Sequence, residues 1–252
     1  MIKITVNGAM GKMGKEVINA INENEQVTLA SAVDIMGDGE KIYKDLETAI
    51  KITKPDVVVD FTQPNAIFKN AKLCLNNKTS VVIGTTGLSE NQIEELKSLS
   101  ETNHTGCLIA PNFSTGAVLM MKFAKMAASY FNNAEIIELH HNQKKDAPSG
   151  TAIKTAQLMA EANSDFALNN CPETETIKGA RGANTNANIH IHSVRMPGFM
   201  ASQEVIFGAM GQTLKIRHDS TDRKCYMPGV LLAVKYIAQN KKFVYGLDKI
   251  MD

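Results

Sequence analysis

The opening stretch, Ile2-Lys3-Ile4-Thr5-Val6 followed by Asn7-Gly8-Ala9-Met10-Gly11-Lys12-Met13-Gly14, restricts what this chain can fold into more than any other. A β-branched run gives way to glycines, and Met13, Val17, Ile18 and Ile21 then recur on one helical face. That order reads as strand, glycine turn, helix. Glycines let the backbone turn tightly and approach a pyrophosphate, while the helix that follows aims its N–H groups and positive dipole end at the charge. Gly11 and Gly14 fill the second and third glycine positions of G-x-G-x-x-G; Ala9 holds the first, and Gly8 precedes it. A strand before and a helix after are the context a dinucleotide-binding turn requires.

The pattern then repeats. Val27 to Val33 reads as a second strand and ends in Asp34, twenty residues past Gly14. An acid there accepts both hydroxyls of an adenosine ribose and repels a 2′-phosphate. Ile35-Met36-Gly37-Asp38-Gly39 brings no arginine to reverse this, so NADH is favoured over NADPH, with Lys41 and Lys44 near enough in sequence to soften the preference. Helical stretches at Leu46 to Ile50, Ala66 to Leu75 and Glu90 to Leu99 alternate with strands at Asp56 to Asp60, Ser80 to Ile83 and Gly106 to Ala110. Such alternation predicts a right-handed, mostly parallel sheet that binds its ligand outside the carboxyl ends of the strands. Phe61-Thr62-Gln63-Pro64, Gly84-Thr85-Thr86-Gly87 and Ala110-Pro111-Asn112-Phe113 follow those ends and are expected to line the cofactor crevice.

After Ser114 the spacing predicts a long helix, Thr115 to Phe131, with Leu119, Met120, Phe123, Ala127 and Tyr130 recurring along it and its methionines in the core. The alternation then stops. Ala134 to His141, Ala187 to Arg195, Ser202 to Phe207 and Thr213 to His218 read as strands around one clear helix, Ala152 to Ala162, with Ala152, Ile153, Ala156, Met159 and Ala160 on one face. Cys171 to Asn188, with Arg181 in its middle, reads as a long mobile loop, and Tyr226-Met227-Pro228 sets the start of a last helix, Gly229 to Gln239. The fold class is therefore α/β: a Rossmann-like dinucleotide-binding domain plus a second α+β domain with a mixed or antiparallel sheet.

The densest chemistry lies between the first of those strands and its helix, in His140-His141-Asn142-Gln143-Lys144-Lys145-Asp146-Ala147-Pro148-Ser149-Gly150-Thr151-Ala152. Ser149 reads as the helix N-cap, so the N–H groups of Ser149, Gly150 and Thr151 are expected to be free for a carboxylate, with His141 adding a hydrogen bond. Lysine and histidine are natural proton donors where hydride addition leaves an electron pair behind. An anionic substrate follows. His140 and His141 end a strand and point to opposite faces, so one of them can be an ordinary core or surface histidine. His190 and His192 share a strand face and, with the His140-His141 pair, could make a zinc site; no carboxylate or cysteine stands beside them at a ligand spacing, and no metal is expected.

Composition closes other routes. In 252 residues, 27 lysines and arginines face 26 acids, which gives no basic face for nucleic acid or a membrane surface. No apolar run reaches membrane-span length, and the start is too soon broken for a signal peptide, so a cytoplasmic protein is expected. Cys74, Cys107, Cys171 and Cys225 form no CxxC pair and read as reduced, buried or half-buried thiols.

On Gly8-Ala9-Met10-Gly11-Lys12-Met13-Gly14, Asp60-Phe61-Thr62, Gly84-Thr85-Thr86-Gly87, Asn112-Phe113-Ser114 and above all His140-His141, Lys144 and Asp146 to Ala152, the chain resembles the 4-hydroxy-tetrahydrodipicolinate reductase family over essentially its whole length. The resemblance implies that hydride passes from NADH or NADPH to a dehydrated cyclic dicarboxylate on the diaminopimelate route to lysine. It makes His140 and Lys144 the proton-handling pair, with Lys144 the donor, and makes His141, Ser149, Gly150 and Thr151 the substrate contacts. Gly8, Ala9, Met10, Gly11, Lys12, Met13, Asp34, Gly84, Thr85, Thr86, Ala110, Pro111, Asn112 and Phe113 would hold the cofactor. It also implies a homotetramer paired through the second-domain sheet, and a return of the chain to the first domain near Arg223, giving domains of 1–112 with 223–252 and 113–222. Asn142 and Gln143 stand where some members carry basic residues, and Arg195-Met196-Pro197-Gly198 replaces another common turn, a change expected to alter only a subunit contact. Another imine or amino-acid oxidoreductase would share the glycine turn without a reason for an anion site beside Lys144. A non-enzymatic dinucleotide-binding redox sensor would need no lysine and histidine pair.

Overall fold

In the computed structural model, which describes residues 1–37, 42–167 and 171–251, the chain divides into two compact units, Met1–Thr115 with Arg223–Asp252 and Gly116–Asp222. Lys41, together with Asp38 and Gly39 of the loop after Asp34, lies outside the described residues. The elements run β1 (Ile2–Asn7), α1 (Lys12–Asn22), β2 (Val27–Val33), β3 (Ile42–Tyr43), α2 (Leu46–Thr53), β4 (Val57–Asp60), α3 (Ile67–Asn76), β5 (Ser80–Ile83), α4 (Glu90–Thr102) and β6 (Cys107–Ile109). Then come α5 (Thr115–Ala128), β7 (Asn133–His140), α6 (Gly150–Ala162), β8 (Ala183–Asn184), β9 (His190–Arg195), β10 (Ala201–Ala209) and β11 (Gln212–Ser220). A 3-10 turn (Arg223–Tyr226), α7 (Met227–Gln239), β12 (Phe243–Tyr245) and a second 3-10 turn (Leu247–Ile250) complete the first unit.

The first unit is built on a sheet ordered β12-β6-β5-β4-β1-β2-β3, with every neighbouring pair parallel. Its central strands are unbroken β-branched runs, Val57 to Val59 and Val81 to Ile83, with no exposed surface, as strands covered on both faces require. Val58, Val81, Ile83 and Ile109 turn to the face covered by α2, α3 and α4, where Ile50, Ile67, Leu75 and Leu96 meet them. The other face is covered by α1 and α7, which pack on one another. Ser89 starts α4 with a reciprocal cap, its Oγ accepting from Gln92 N while Gln92 Oε1 accepts from Ser89 N. The short edge strands β3 and β12 are too brief to show alternation in sequence.

The second unit carries a sheet ordered β11-β10-β7-β9-β8, in which β7 and β9 are parallel and the other pairs antiparallel. Ala134, Ile136, Ile191, Val205 and Phe207 form its core with Ala124 and Ala128 of α5 and Ala152, Ala156 and Met159 of α6. The apolar stripe expected on α5 is only partly the buried one. Met120 and Ala127 are inside, but Leu119, Phe123 and Tyr130 are 38%, 48% and 81% exposed. Ala117, Ala124 and Ala128 take the inner face instead, since small side chains let the helix lie close to the sheet. On α6, Ile153 faces out and Thr155 faces in, where its hydroxyl donates to Thr151 O (2.7 Å) and accepts from Gln203 Nε2 (2.8 Å). A hydroxyl satisfied in this way costs little to bury. The segment from Cys171 onward is tied to β7 by Arg181, whose guanidinium reaches Glu135 Oε1 at 2.6 Å. Among the described residues no helix is long and apolar enough to cross a membrane.

Candidate active site

In the first unit the glycine turn is shaped by two close approaches. Gly8 has a φ of +83°, and a Cβ there would lie 2.7 Å from the Phe61 carbonyl oxygen. A Cβ on Gly14 would lie 2.2 Å from the Gly8 carbonyl oxygen, so only glycine lets α1 press against the turn. Gly11 is the N-cap of α1 and makes no side-chain cap bond, so the first amides of the helix are not satisfied by their cap residue. This backbone cradle fits a pyrophosphate. If the turn binds a dinucleotide, Gly14→Ala is expected to weaken that binding about tenfold or more, read by fluorescence titration with reduced nicotinamide dinucleotide, because the added methyl pushes the turn out of shape. Unchanged affinity would contradict that reading of the turn.

Asp34 follows β2 and is half-buried, with Oδ2 accepting from Met10 N (2.9 Å) and Oδ1 from Met36 N (3.0 Å). Each oxygen is thereby fixed while keeping a lone pair for a hydroxyl donor. Asn7, Asp60, Ile83 and Ile109 stand in register at the carboxyl edge of β1, β4, β5 and β6. The turns at Gly8 to Met13, Phe61 to Pro64, Gly84 to Thr86 and Ala110 to Phe113 therefore leave one edge of the sheet. Phe61 is half-buried: its ring covers Gly84, where a Cβ would lie 2.0 Å away, and stands 5.9 Å from the Phe113 ring. Ala110 and Phe113 are buried, Pro111 is exposed, and Asn112 Oδ1 accepts from Ser114 N. The turns are held by Asp60, which is fully buried and accepts from Asn7 Nδ2 (2.7 Å), Thr62 N (2.9 Å), Thr62 Oγ1 (2.6 Å) and Asn70 Nδ2 (3.0 Å). Burial pushes its carboxyl up in spite of these bonds.

In the second unit His140 ends β7 on the same strand face as Ala134, Ile136 and Glu138, so the sequence carries a carboxylate inward next to core residues. Glu138 is fully buried. Its oxygens meet His140 Nδ1 (2.5 Å), the Arg195 guanidinium (2.6 and 2.8 Å) and Ser149 N (3.2 Å). Burial pushes this carboxyl up, but the bonds from His140, Arg195 and Ser193 outweigh it and hold the group at about 2. Glu138 is then an ionised acceptor, which assigns the proton of the shared bond to His140 Nδ1 and leaves Nε2 as the ring's acceptor.

Arg195 also donates to Asp146 O (2.8 Å), and Lys144 Nζ lies 2.8 Å from each Asp146 carboxylate oxygen. The hydrogen bond from Lys144 holds the Asp146 carboxyl below its usual range. Ser149 caps α6, its Oγ accepting from Ala152 N (3.2 Å). Its own N–H is not free, as the sequence had suggested, because it donates to Glu138. The amides left at the helix start are those of Gly150 and Thr151, and a Cβ on Gly150 would meet no atom of the described residues within 4 Å. His141 sits beyond the strand, exposed, with Nδ1 accepting from Gln143 N (3.3 Å).

Glu138 and Arg195 are the residues that sequence reasoning missed, and Arg195 belongs to this cluster rather than only to a subunit contact. The available signal was an acid two positions before His140 on the inward face of a strand. His190 and His192 stand at the other end of β9, bonded through His190 Nδ1 to Arg181 O (2.6 Å) and through His192 Nε2 to Glu135 (2.8 Å). Among the described residues no three metal-ligating side chains gather. Cys74 and Cys107 are buried, burial pushing the Cys107 thiol to about 12, whereas Cys171 is exposed and Cys225 half-buried.

Family models described as dihydrodipicolinate reductase, N-terminus, and dihydrodipicolinate reductase, C-terminus, match residues 2–113 and 116–251. The 4-hydroxy-tetrahydrodipicolinate reductase of Gloeothece citriformis is 48% identical over 269 aligned positions, covering 99% of this chain and 98% of the relative. That of Geobacillus thermodenitrificans is 48% identical over 264, covering 100% and 99%. Among solved structures, a dipicolinate-bound dihydrodipicolinate reductase from Paenisporosarcina sp. TG-14 is similar with a TM-score of 0.93 and 43% identity over the full length of both chains. A probable dehydrogenase from Thermotoga maritima, at 11% identity and a TM-score of 0.67, shares the fold.

Proposed function

The chain belongs to the dihydrodipicolinate reductase family and is an NAD(P)H-dependent oxidoreductase that reduces dehydrated 4-hydroxy-tetrahydrodipicolinate to tetrahydrodipicolinate, and we propose that the cluster at the end of β7 is its substrate site. One observation carries this: Lys144, His140 and the open amides of Gly150 and Thr151 are gathered in one short stretch on a shared buried ion pair. The first unit is the dinucleotide-binding domain and the second the substrate-binding and oligomerisation domain. Gly8 to Met13, Asp34, Gly84 to Thr86 and Ala110 to Phe113 hold the nicotinamide dinucleotide, which when bound supplies a hydride to the unsaturated ring.

The amides of Gly150 and Thr151 bind one carboxylate of the cyclic substrate, and His141 adds a hydrogen bond. Ser149 contributes by capping the helix that presents those amides. Lys144 gives its proton from Nζ to the ring atom left with the electron pair, and His140 is the second member of the proton-handling pair. Lys144 is then neutral beside Asp146 and regains its proton from water. The test is NADH oxidation dependent on the condensation product of aspartate semialdehyde and pyruvate; absence of turnover on it would overturn the assignment.

Asp34 favours NADH over NADPH, because its anchored carboxylate suits two ribose hydroxyls and repels a 2′-phosphate. Asp34→Ala is expected to raise the ratio of kcat/KM for NADPH to that for NADH by roughly tenfold, equivalent to about 1.4 kcal/mol. A native enzyme that prefers NADPH would sink this reading. The enzyme works in the cytoplasm as a homotetramer. Half-buried Ile137, Leu139, Val194 and Ile206, on the sheet face away from α5 and α6, support pairing of second-unit sheets.

A further inference from the structure

We propose that the Glu138–Arg195 ion pair is the positioning device of the reaction: it fixes the His140 imidazole in the tautomer with Nδ1 protonated and Nε2 as acceptor, and holds the Lys144 loop and the start of α6 to the end of β7. The proposal rests on the roles given above to His140 and Lys144. Glu138 has no exposed surface, and its partners come from three places: His140 two positions along its own strand, Ser193 and Arg195 on β9, and the Ser149 amide at the start of α6. The two terminal nitrogens of Arg195 also donate to backbone, at Val194 O (2.8 Å) and Asp146 O (2.8 Å), while its Nε is buried with no partner among the described residues. One carboxylate and one guanidinium thus join β7, β9, the loop and α6.

A buried ion pair is weak evidence of stabilisation for its own sake, since well-packed apolar side chains often do as well. Here three bonds beyond the pair, to His140 Nδ1, Ser149 N and Asp146 O, fall on groups the chemistry needs. The bond to Nδ1 selects a tautomer, as the buried carboxylate of a catalytic triad does for its histidine. The bond to Ser149 N fixes the helix start whose next two amides face the substrate carboxylate. Asp146, anchored through its carbonyl, carries the carboxylate that pairs with Lys144. Across the sheet Glu138 is in register with Gln203, whose side chain is neutral and bonded to Thr155. The charged groups of this cluster are Glu138 and Arg195 on the strands and Lys144 and Asp146 in the loop, with Lys145 and His141 exposed.

The test combines steady-state kinetics, calorimetric binding of dipicolinate and NADH, and side-chain nitrogen NMR of His140 in Glu138→Gln, Arg195→Lys and His140→Ala. Glu138→Gln is expected to lower kcat about 10- to 100-fold with NADH affinity unchanged. The Nδ1–H signature of His140 should give way to a tautomer mixture, because an amide both donates and accepts. Arg195→Lys keeps a counter-charge for Glu138 but loses the fork and its bond to Asp146, so it should weaken dipicolinate about tenfold while the tautomer persists. Unchanged kcat and tautomer in Glu138→Gln would overturn the proposal. If that variant does not fold, native dipicolinate affinity in Arg195→Lys overturns it. Native turnover in His140→Ala would instead remove the role given to His140, whereas an impaired His140→Ala beside an unimpaired Glu138→Gln removes the positioning alone.

Discussion

Lys144→Ala is expected to lower kcat by about 10²- to 10⁴-fold, the range for loss of a positioned general acid, while the dissociation constant for NADH stays as it was. The size follows from what the alanine leaves undone. Hydride addition places an electron pair on the substrate ring, and without Lys144 the proton must come from water that no side chain aims. NADH binding is spared because the glycine turn and Asp34 belong to the first unit and Lys144 to the second. Lys144→Arg separates charge from proton transfer: guanidinium keeps the positive charge and the reach to Asp146 but does not release a proton near neutral pH. It should be about as slow as the alanine. Single-turnover oxidation of NADH with both variants decides the matter, and recovery of activity in the arginine variant would mean that Lys144 acts only as a charge.

Most of the first unit is legible in the sequence because its signals are local. The β-branched runs at Val27 to Val33 and Ser80 to Ile83 coincide with strands end to end, and the glycines at 8, 11 and 14 follow a strand and open a helix. Unread elements are those too short to carry a period, β3, β8 and β12. The second unit is harder, since which stripe of a helix is buried depends on the surface it meets. In α5 the large side chains at 119, 123 and 130 suggested the inner face, yet alanines occupy it, because contact with a sheet rewards closeness over bulk. The candidate site divides in the same way. His140, Lys144 and the α6 amides are contiguous and stand out, but Arg195 lies 57 positions from Glu138 in the chain and is brought to it only by the parallel pairing of β7 with β9. Pairing of that kind leaves no mark in a local window, so the helix start could be read from Ser149 while the bond that removes its N–H could not.

Arg195→Ala is expected to destabilise the protein by about 3–5 kcal/mol, because it leaves the Glu138 carboxylate buried without its main counter-charge. For a chain of this size that is a fall in Tm of roughly 10 °C. Its pH dependence identifies the cause. Glu138 is held at about 2 in the folded protein against 4.5 for an ordinary glutamate, so its ionisation favours the folded state above about pH 5, by roughly 3 kcal/mol, and this contribution disappears as pH falls toward 2. In Arg195→Ala the folded carboxyl titrates higher and protonates sooner, which relieves the unpaired charge. The gap in stability between native protein and variant should therefore be widest above pH 5 and close on acidification, as followed by denaturant unfolding across that range. A gap independent of pH would mean that Arg195 acts through packing of its side chain. Glu138→Gln with Arg195→Ala completes the cycle: the double variant removes the charge along with its partner, and it should be more stable than Arg195→Ala alone. Additive losses in the double variant would show that the two residues contribute separately, and the penalty of a stranded carboxylate would then not explain the single variant.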